Sequence, residues 1–231
     1  MILSLLKDVS RLFYPVICPG CGNELFNQNS NLCLKCITQL PHTGFANFNN
    51  NPIEKIFSGR LPLLAAHSEF YFTKNSIIQF LMHELKYKGN KEMGLYLGKL
   101  LGESLLKSQR FKEFDYLVPL PMHPVKEFKR GYNQAEIICN GISSSTNIPV
   151  LVKKVLRNKQ TETQTRKHRT ERWQNVYDSF LVEEPESLYN KKIILVDDVI
   201  TTGATLEACG INILKIKGAT LGIAAVAYAS K

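Results

Sequence analysis

Apolar residues follow two alternating patterns along this chain. Short apolar runs predict strands, of which the first is one strand or a hairpin, in RLPLLAAHSEFYF, DYLVPLP, VLVKKVL, KKIILVDDV and ATLGIAAVAYA. Apolar residues at helical spacing predict helices in SIIQFLMHELKY, EMGLYLGKLLGESLL, NQAEIICNGISSS and TLEACGINILKI. Buried strands that alternate with helices predict an α/β fold, a mostly parallel sheet with helices on both faces. Ligands of such folds bind at the carboxyl ends of the strands.

The pattern differs before residue 60. MILSLLKDVSRLF predicts a short amphipathic helix, because charges interrupt it too early for a signal-peptide core. TGFANFNNNPIEK is polar and has no apolar period, which predicts a linker. We expect a helix and a cysteine module in residues 1–42, a linker in 43–59 and the main domain in 60–231. No apolar run approaches the roughly 18 residues of a membrane span, so we expect a cytoplasmic protein without membrane insertion.

Four of the six cysteines form two CxxC pairs, and these are Cys18, Cys21, Cys33 and Cys36. The spacing lets one tight turn direct both sulfurs of a pair at a single point, and two such knuckles complete a tetrahedral zinc site. Two disulfides or redox-active pairs are the alternative, which requires an oxidising compartment. The lack of a secretory signal favours zinc. Because four thiolates leave no open coordination position, we expect this zinc to be structural.

The stretch ILVDDVITTGAT places two carboxylates directly after an apolar run. Successive side chains of a strand point to opposite faces, so adjacent charges are unfavourable inside a core strand. We therefore expect the strand to end at Val196, with Asp197 and Asp198 at its carboxyl edge and residues 201–205 in the loop that enters the next helix. A purely structural turn would explain one threonine only. A P-loop NTPase would also place acids after a strand, but the chain has no GxxxxGK[ST].

A threonine-rich loop at a helix N-terminus suits a phosphate, because it offers backbone amides, hydroxyls and the positive end of the helix dipole. The carboxylates would then bind vicinal ribose hydroxyls, directly or through a divalent metal. The residues of this predicted site are Asp197, Asp198, Thr201, Thr202, Gly203, Ala204 and Thr205.

Lys and Arg outnumber Asp and Glu by 29 to 20, for a net charge of +9. This excess favours a polyanionic partner such as nucleic acid or a phosphorylated metabolite, although some soluble proteins are simply basic. The densest basic segment can close over a pyrophosphate, follow a nucleic-acid backbone, or form an ordinary solvated loop. Its candidate residues are Lys153, Lys154, Arg157, Lys159, Arg166, Lys167, Arg169 and Arg172.

ILVDDVITTGAT resembles the phosphoribosyl pyrophosphate (PRPP) signature of the type I phosphoribosyltransferases. The chain from about Cys18 to its end is similar to the ComF/GntX family of competence-associated phosphoribosyltransferase-like proteins. The motifs that carry this likeness are, in order, the paired CxxC module, LKYKG, VPLPMHPVKEFKRGYNQA, QTRKHRTERWQNVYDSF and the signature.

The resemblance implies a type I phosphoribosyltransferase fold with an N-terminal zinc ribbon, and PRPP with Mg²⁺ as the ligand. It also implies a role in the handling or import of single-stranded DNA during natural transformation. The implied partners are single-stranded DNA and a competence helicase or other DNA-uptake proteins, through which the protein would sit at the periphery of the inner membrane.

The resemblance assigns further roles. Leu120, Pro121, Met122 and His123 would form the pyrophosphate loop together with Arg130, although an ordinary proline-rich connection is the alternative. The cleft candidates are Lys86, Tyr87 and Lys88.

No residue is assigned as a catalyst, and whether the protein is an enzyme stays open. Catalysis would displace pyrophosphate from ribose C1, mainly through electrostatic stabilisation. The alternative to a DNA-handling role is a metabolic phosphoribosyltransferase that transfers ribose 5-phosphate to a nucleobase or an amine. A third hypothesis is that PRPP is only a regulatory ligand.

Overall fold

The computed structural model of the protein describes residues 16–25, 30–157 and 180–229. The predicted N-terminal helix lies outside these residues. So do five of the candidates in the basic segment, namely Lys159, Arg166, Lys167, Arg169 and Arg172. No helix in the described ranges has the length and apolar character needed to cross a membrane.

Four parallel strands form the main sheet, in the order β1-β6-β5-β2, and two antiparallel strands, β3 and β4, form a separate small sheet. The strands are β1 Ala65–Tyr71, β2 Tyr116–Pro119, β3 Val155–Arg157, β4 Phe180–Val182, β5 Lys192–Ile200 and β6 Thr220–Tyr228. In a parallel sheet the carboxyl ends of the strands share one edge. The loops after β2 and β5, which carry the predicted site residues, therefore leave the sheet side by side.

Seven α-helices occur in the described ranges, including all four that were predicted there. They are α1 Leu34–Thr38, α2 Pro52–Phe57, α3 Ile77–Tyr87, α4 Lys91–Lys107, α5 Pro124–Arg130, α6 Gln134–Thr146 and α7 Ala204–Leu214. Short 3₁₀ turns lie at Phe45–Asn47, Gln109–Phe111 and Pro185–Leu188. Side-chain oxygens of Ser76, Asn90 and Asn133 accept hydrogen bonds at the first turns of α3, α4 and α6, which explains where these helices begin.

Helices cover both faces of the main sheet, as the sequence predicts. On β5, Ile194 and Val196 belong to one core together with buried residues of α3, α4 and α6. Ile193 and Leu195 point to the other face, where they belong to a core with residues of α2 and α7. This alternation follows from the two-residue period of a strand, and it continues into the two aspartates that come next.

The segment predicted as a linker is folded against the main sheet. Its helix α2 is capped by Asn51, whose side chain accepts from the N–H groups of Ile53 and Glu54. Asn51 is buried and also donates to the carbonyl of Ala66 in β1, at 2.8 Å. Ile53 and Phe57 are fully buried. The polar composition of this segment therefore did not indicate the helix that packs there. The proposed division of the chain into domains stays a prediction.

VLVKKVL does not form one strand, so that prediction is wrong. Val150 makes only an isolated bridge to Leu117, and the strand β3 begins at Val155. Between them Lys153 has a φ of 58°, a left-handed conformation that breaks an extended chain. The chain therefore turns away from the main sheet, and β3 pairs instead with β4.

Candidate functional site at the carboxyl edge of the sheet

The strand β5 does not end at Val196, in contrast to the prediction. It continues to Ile200, because β6 pairs with it that far, with Ala225 opposite Asp197. On its other side β5 loses its neighbour at Val196, where the pairing with β2 stops. The two aspartates therefore lie inside a strand, but at a point where one side of the strand has no neighbour. Adjacent carboxylates are tolerated here because the sheet does not enclose them.

The carboxylates of the acidic pair have different surroundings. Asp198 is buried, and its Oδ2 lies 2.9 Å from the Nζ of Lys86 at the end of α3. Asp197 is half-buried, and its Oδ1 accepts a hydrogen bond of 2.8 Å from the N–H of Asp198. By the strand alternation Asp197 lies on the α7 face, where burial together with the charge of Asp197 raises the pKa of the Cys209 thiol.

The pKa of Asp197 is raised well above that of an ordinary aspartate. Burial is the largest cause and the neighbouring charge of Asp198 adds to it, whereas the hydrogen bond from the Asp198 N–H and the charge of Lys86 oppose the shift. Ionisation of both carboxyl groups is thus unfavourable in the ligand-free site, and a cation bound there would offset the repulsion between the two carboxylates.

The threonine loop leads into α7, but that helix begins at Ala204, so Ala204 and Thr205 lie in the helix and not in the loop as predicted. Phe57 of the predicted linker and Arg60 of the predicted main domain support the loop. Gly203 starts the helix with a φ of 74°, and a Cβ placed there would lie 2.7 Å from ring atoms of Phe57. Arg60 donates to the carbonyl of Thr202 at 3.4 Å and forms an ion pair with the buried Glu207 of α7. Thr201 and Thr202 are exposed at this edge.

Sequence reasoning missed Phe57, Arg60 and Glu207 as supports of the loop. The i, i+4 spacing of Ile53 and Phe57 was a weak helical signal in that segment.

Hydrogen bonds connect the loop after β2 to the strand β5 and to the N-terminus of α6. The N–H of Leu120 donates to the carbonyl of Val196 on β5, at 2.8 Å. Asn133 donates from its amide nitrogen to the carbonyl of Leu120 at 3.0 Å and caps α6 with its amide oxygen. His123 is the N-cap of α5, where its Nδ1 accepts a 3.3 Å bond from the N–H of Val125. These contacts give His123 a role in positioning the helix.

A basic cleft opens where the ends of α3 and α5 meet, with a volume of ≈ 460 Å³. The residues that line it are Lys86, Tyr87, Gly89, Lys126, Lys129, Arg130 and Tyr132. The guanidinium of Arg130 lies 5.8 Å from the ring centroid of Tyr87. Lys88, the third cleft candidate of the LKYKG motif, instead forms an ion pair of 2.7 Å with Glu84 and is not among the lining residues. The structure thus combines Lys86 and Tyr87 with Arg130 of the predicted pyrophosphate loop.

The described part of the basic segment lies elsewhere. Lys153 and Arg157 line a smaller pocket of ≈ 260 Å³ beside Pro121 and Met122. Lys154 forms a 2.8 Å ion pair with Glu184. Lys153 and Arg157 therefore lie near the loop after β2, whereas the charge of Lys154 is paired with that of Glu184.

The paired CxxC module gathers its sulfurs into one cluster. The Sγ atoms of the four cysteines all lie within 4.8 Å of one another, and none of the six cysteines forms a disulfide. Tetrahedral zinc with Zn–S bonds of about 2.3 Å places its sulfurs roughly 3.8 Å apart, so the donor set and its spacing fit a metal ion such as zinc. Among the described residues no other group of three or more His, Cys, Asp or Glu side chains clusters in this way.

The backbone around the cluster stabilises thiolates. The N–H of Cys33 donates to the Sγ of Cys18 at 3.3 Å. Burial alone would raise the pKa of the Cys18 thiol, but hydrogen bonds from the backbone at Cys33, Gly20 and Cys21 lower it to about 7. The pKa of Cys36 is raised by burial and by its bonds to the other sulfurs. A cation would offset the repulsion among four such thiolates.

Comparison with known proteins agrees with this geometry. Residues 129–231 match the family model of the phosphoribosyl transferase domain. Competence protein F of Haemophilus influenzae is 28% identical over 211 residues, which cover 84% of this chain and 89% of that protein. Competence protein ComFC of Bacillus subtilis is 27% identical, over 63% of this chain and 57% of its own length.

The chain is thus similar to proteins named for competence, Competence protein F and ComFC. DNA utilization protein YhgH of Escherichia coli strain K12 is a further relative, 29% identical over 54% of this chain and 56% of the relative. The alignments thus span nearly all of one curated relative and little more than half of the other two.

Solved structures also resemble the chain, at low similarity. Adenine phosphoribosyltransferase from Saccharomyces cerevisiae has a TM-score of 0.38 and 15% identity, covering 75% of this chain and 86% of that one. The fold of this chain, a type I phosphoribosyltransferase-like parallel sheet with a four-cysteine module, rests on its own strand order and on the family model.

Proposed function

We propose that this protein binds PRPP with Mg²⁺ at the carboxyl edge of β5 and acts in the handling or import of single-stranded DNA during natural transformation. The observation that carries the proposal is the acidic pair Asp197–Asp198, held at an open strand edge directly before a threonine loop that enters a helix. Ribose hydroxyls and a 5-phosphate are the ligand groups that match these two features.

Each segment of the edge has a proposed part in binding. Residues 201–205 would hold the 5-phosphate with backbone N–H groups and threonine hydroxyls. The ring of Phe57 packs next to Gly203 and supports this loop. Asp197 and Asp198 would accept from the ribose hydroxyls. Residues 120–123 and Arg130 would lie beside the pyrophosphate, and Mg²⁺, when bound, would neutralise its charge.

Transfer of the ribose, if it occurs, would depend on this positioning. The carboxylates would fix the ribose and stabilise positive charge as it develops at C1, which needs no protein nucleophile. A metabolic transferase with a nucleobase or amine acceptor would use the same ribose and phosphate contacts. The two functions differ in the acceptor, so an acceptor screen separates them.

The role in DNA uptake is supported by the names of the relatives and by charge. The names Competence protein F and DNA utilization protein YhgH both concern DNA or its uptake. This chain has a net charge of +9, and the residues that line its basic cleft include four cations and two tyrosines but no acid. Such a surface suits a single strand, which offers phosphates to the cations and bases to the aromatic rings. Lys153, Lys154 and Arg157 remain candidates for the same ligand.

Zinc is the proposed ion of the four-cysteine cluster, with a structural role. Cys18 and Cys36 are buried and belong to the same core as residues of α3 and α4. A closed Cys₄ site would therefore stabilise the module and its contact with the main domain together.

Calorimetric titration with PRPP and Mg²⁺ tests the pocket. We expect binding by the parent and its loss in the Asp197→Asn, Asp198→Asn double variant. Asp115→Asn is the matched control, because Asp115 is a carboxylate at the opposite edge of the sheet, where it accepts from the N–H of Lys192 at 2.8 Å. Absence of binding by the folded parent would refute the proposal. Pyrophosphate release that depends on one nucleobase or amine would favour the metabolic transferase.

A second experiment tests the DNA role. We expect an oligo-dT strand to bind with an affinity that falls steeply as salt rises, because phosphate contacts release counterions. Fluorescence anisotropy of a labelled strand at several salt concentrations measures this. No binding at low salt would contradict the DNA half of the proposal and leave the PRPP half standing.

A further inference from the structure

Lys86 belongs to two surfaces at once. Its Nζ lies 2.9 Å from Oδ2 of Asp198 in the acidic pair, and its side chain lines the basic cleft together with Lys126, Lys129 and Arg130. The side chain is 23% exposed, whereas that of Asp198 is 7% exposed. The ammonium therefore lies on the boundary between a buried carboxylate and an open cleft.

A ligand of the acidic pair has to compete with this ammonium. Hydroxyl groups or a divalent cation that engage the carboxylate of Asp198 replace the same interaction that Lys86 now makes. Once displaced, the flexible lysine side chain can turn its charge toward the cleft that it already lines. The cleft then presents more positive charge to an anion.

The basic cleft has the features of a single-strand binding surface. None of its lining residues is acidic, and its cations come from two separate helices, α3 and α5. Tyr87 lines the cleft and is 70% exposed, and Phe128, which lies outside the cleft lining on the same short helix as Lys126 and Lys129, is 90% exposed. The helix α5 buries none of its residues, so these aromatic and basic groups are available to a partner. Exposed rings next to cations suit stacked bases on a phosphodiester backbone better than a pyrophosphate alone.

We infer that Lys86 couples the two sites, so that PRPP bound at the acidic pair strengthens the binding of a single-stranded nucleic acid to Lys86, Lys126 and Lys129 of the basic cleft, which leaves Arg130 to the pyrophosphate. This inference rests on the proposed function, since it requires both ligands. Linkage makes the effect reciprocal, and the strand strengthens PRPP binding by the same factor, because an anion in the cleft draws Lys86 away from Asp198. Couplings of this kind range from about 5-fold to 150-fold.

The test measures oligo-dT affinity by fluorescence anisotropy with the full-length, zinc-loaded protein, with and without saturating PRPP. Mg²⁺ and ionic strength are equal in both arms, because both screen charge. We expect PRPP to lower the dissociation constant for the strand at least about fivefold. Calorimetric titration of PRPP with and without the strand is expected to give the same factor.

Two substitutions assign the effect to Lys86. In Lys86→Met and in Lys86→Gln we expect the coupling factor to fall to about one, whatever happens to the separate affinities. Lys88→Met is the matched control, because Lys88 lies two residues away but is engaged with Glu84 outside the cleft. It should keep the coupling of the parent. A coupling that survives in both Lys86 variants would overturn the role of this residue.

Other outcomes separate this inference from the proposed function. A parent that binds both ligands with independent affinities would overturn the coupling and leave the proposed function intact. If PRPP, or inorganic pyrophosphate in its place, displaces the strand, the cleft is the pyrophosphate subsite and the inference is wrong. A folded parent that does not bind PRPP would overturn the inference and the proposed PRPP site together.

Discussion

The four-cysteine cluster and the acidic pair both collect groups of one charge in a small volume, but they balance that charge differently. The sulfurs lie within 4.8 Å of one another, and four thiolates need a metal cation to hold them together. Asp198 instead has an internal cation, Lys86, at 2.9 Å. A closed donor set suits a permanent ion, whereas a lysine that shares an open cleft is a partner that a ligand can replace. The first site is thus suited to stability and the second to exchange.

The largest effect on the comparison between the two sites is expected from removal of a metal ligand in the four-cysteine cluster. We expect Cys21→Ser to lose stoichiometric zinc and to lower the free energy of unfolding by several kcal/mol, because metal binding contributes to the free energy of folding. Cys21 is exposed, so this substitution removes a ligand and disturbs little packing. Metal analysis and urea denaturation measure the two changes. Cys139→Ala, at a buried cysteine outside the cluster, should retain the metal. Full stability of the metal-free Cys21→Ser variant would contradict a structural role for the ion.

The next effect concerns the threonine loop, residues 201–205. We expect Gly203→Ala to lower the free energy of unfolding by about 2–4 kcal/mol and to abolish PRPP binding, since its Cβ would meet the ring of Phe57 at 2.7 Å and its φ is 74°. Gly131→Ala is the matched control, with a φ of 81° and no atom within 4 Å of the added Cβ. It should cost only about 1–2 kcal/mol. Equal losses in urea denaturation would show that Phe57 does not restrict the loop.

The acidic pair should also make stability depend on pH. Because the pKa of Asp197 is raised in the folded state, the folded protein keeps a proton that the unfolded chain has lost. Stability therefore falls as pH rises from the ordinary aspartate pKa, about 3.9, through the raised value, by at most about 1.4 kcal/mol per pH unit. Urea denaturation of the ligand-free protein should show this fall, and Asp197→Asn should remove it. An identical pH profile in the variant would exclude Asp197 as its source.

The smallest effect tests His123 as the N-cap of α5. We expect His123→Ala to lower the free energy of unfolding by about 1 kcal/mol through loss of the α5 N-cap. His123→Asn should restore much of this, since asparagine is a strong N-cap. A pH-dependent loss of pyrophosphate release in both, with normal binding, would instead indicate a proton donor.

Sequence reasoning worked where a signal is local. The helices α3, α4 and α6 follow apolar periodicity and caps, and the cysteine cluster follows two CxxC pairs. It failed at the end of β5, because a strand continues as long as a neighbour pairs with it, and β6 is a distant segment until the chain folds. It failed at VLVKKVL, because the left-handed residue Lys153 has no signature of its own in a run that otherwise resembles a strand.

The sequence by itself determined the alternation of strands and helices, the four-cysteine cluster and the signature with its acidic pair, because each depends on residues close together in the chain. Only the tertiary structure decided that Lys86 faces Asp198, that Phe57 supports Gly203 and that Arg60 meets Glu207, 147 residues further on. Such contacts depend on which strands and helices become neighbours, and no local pattern of charge or hydropathy specifies that choice.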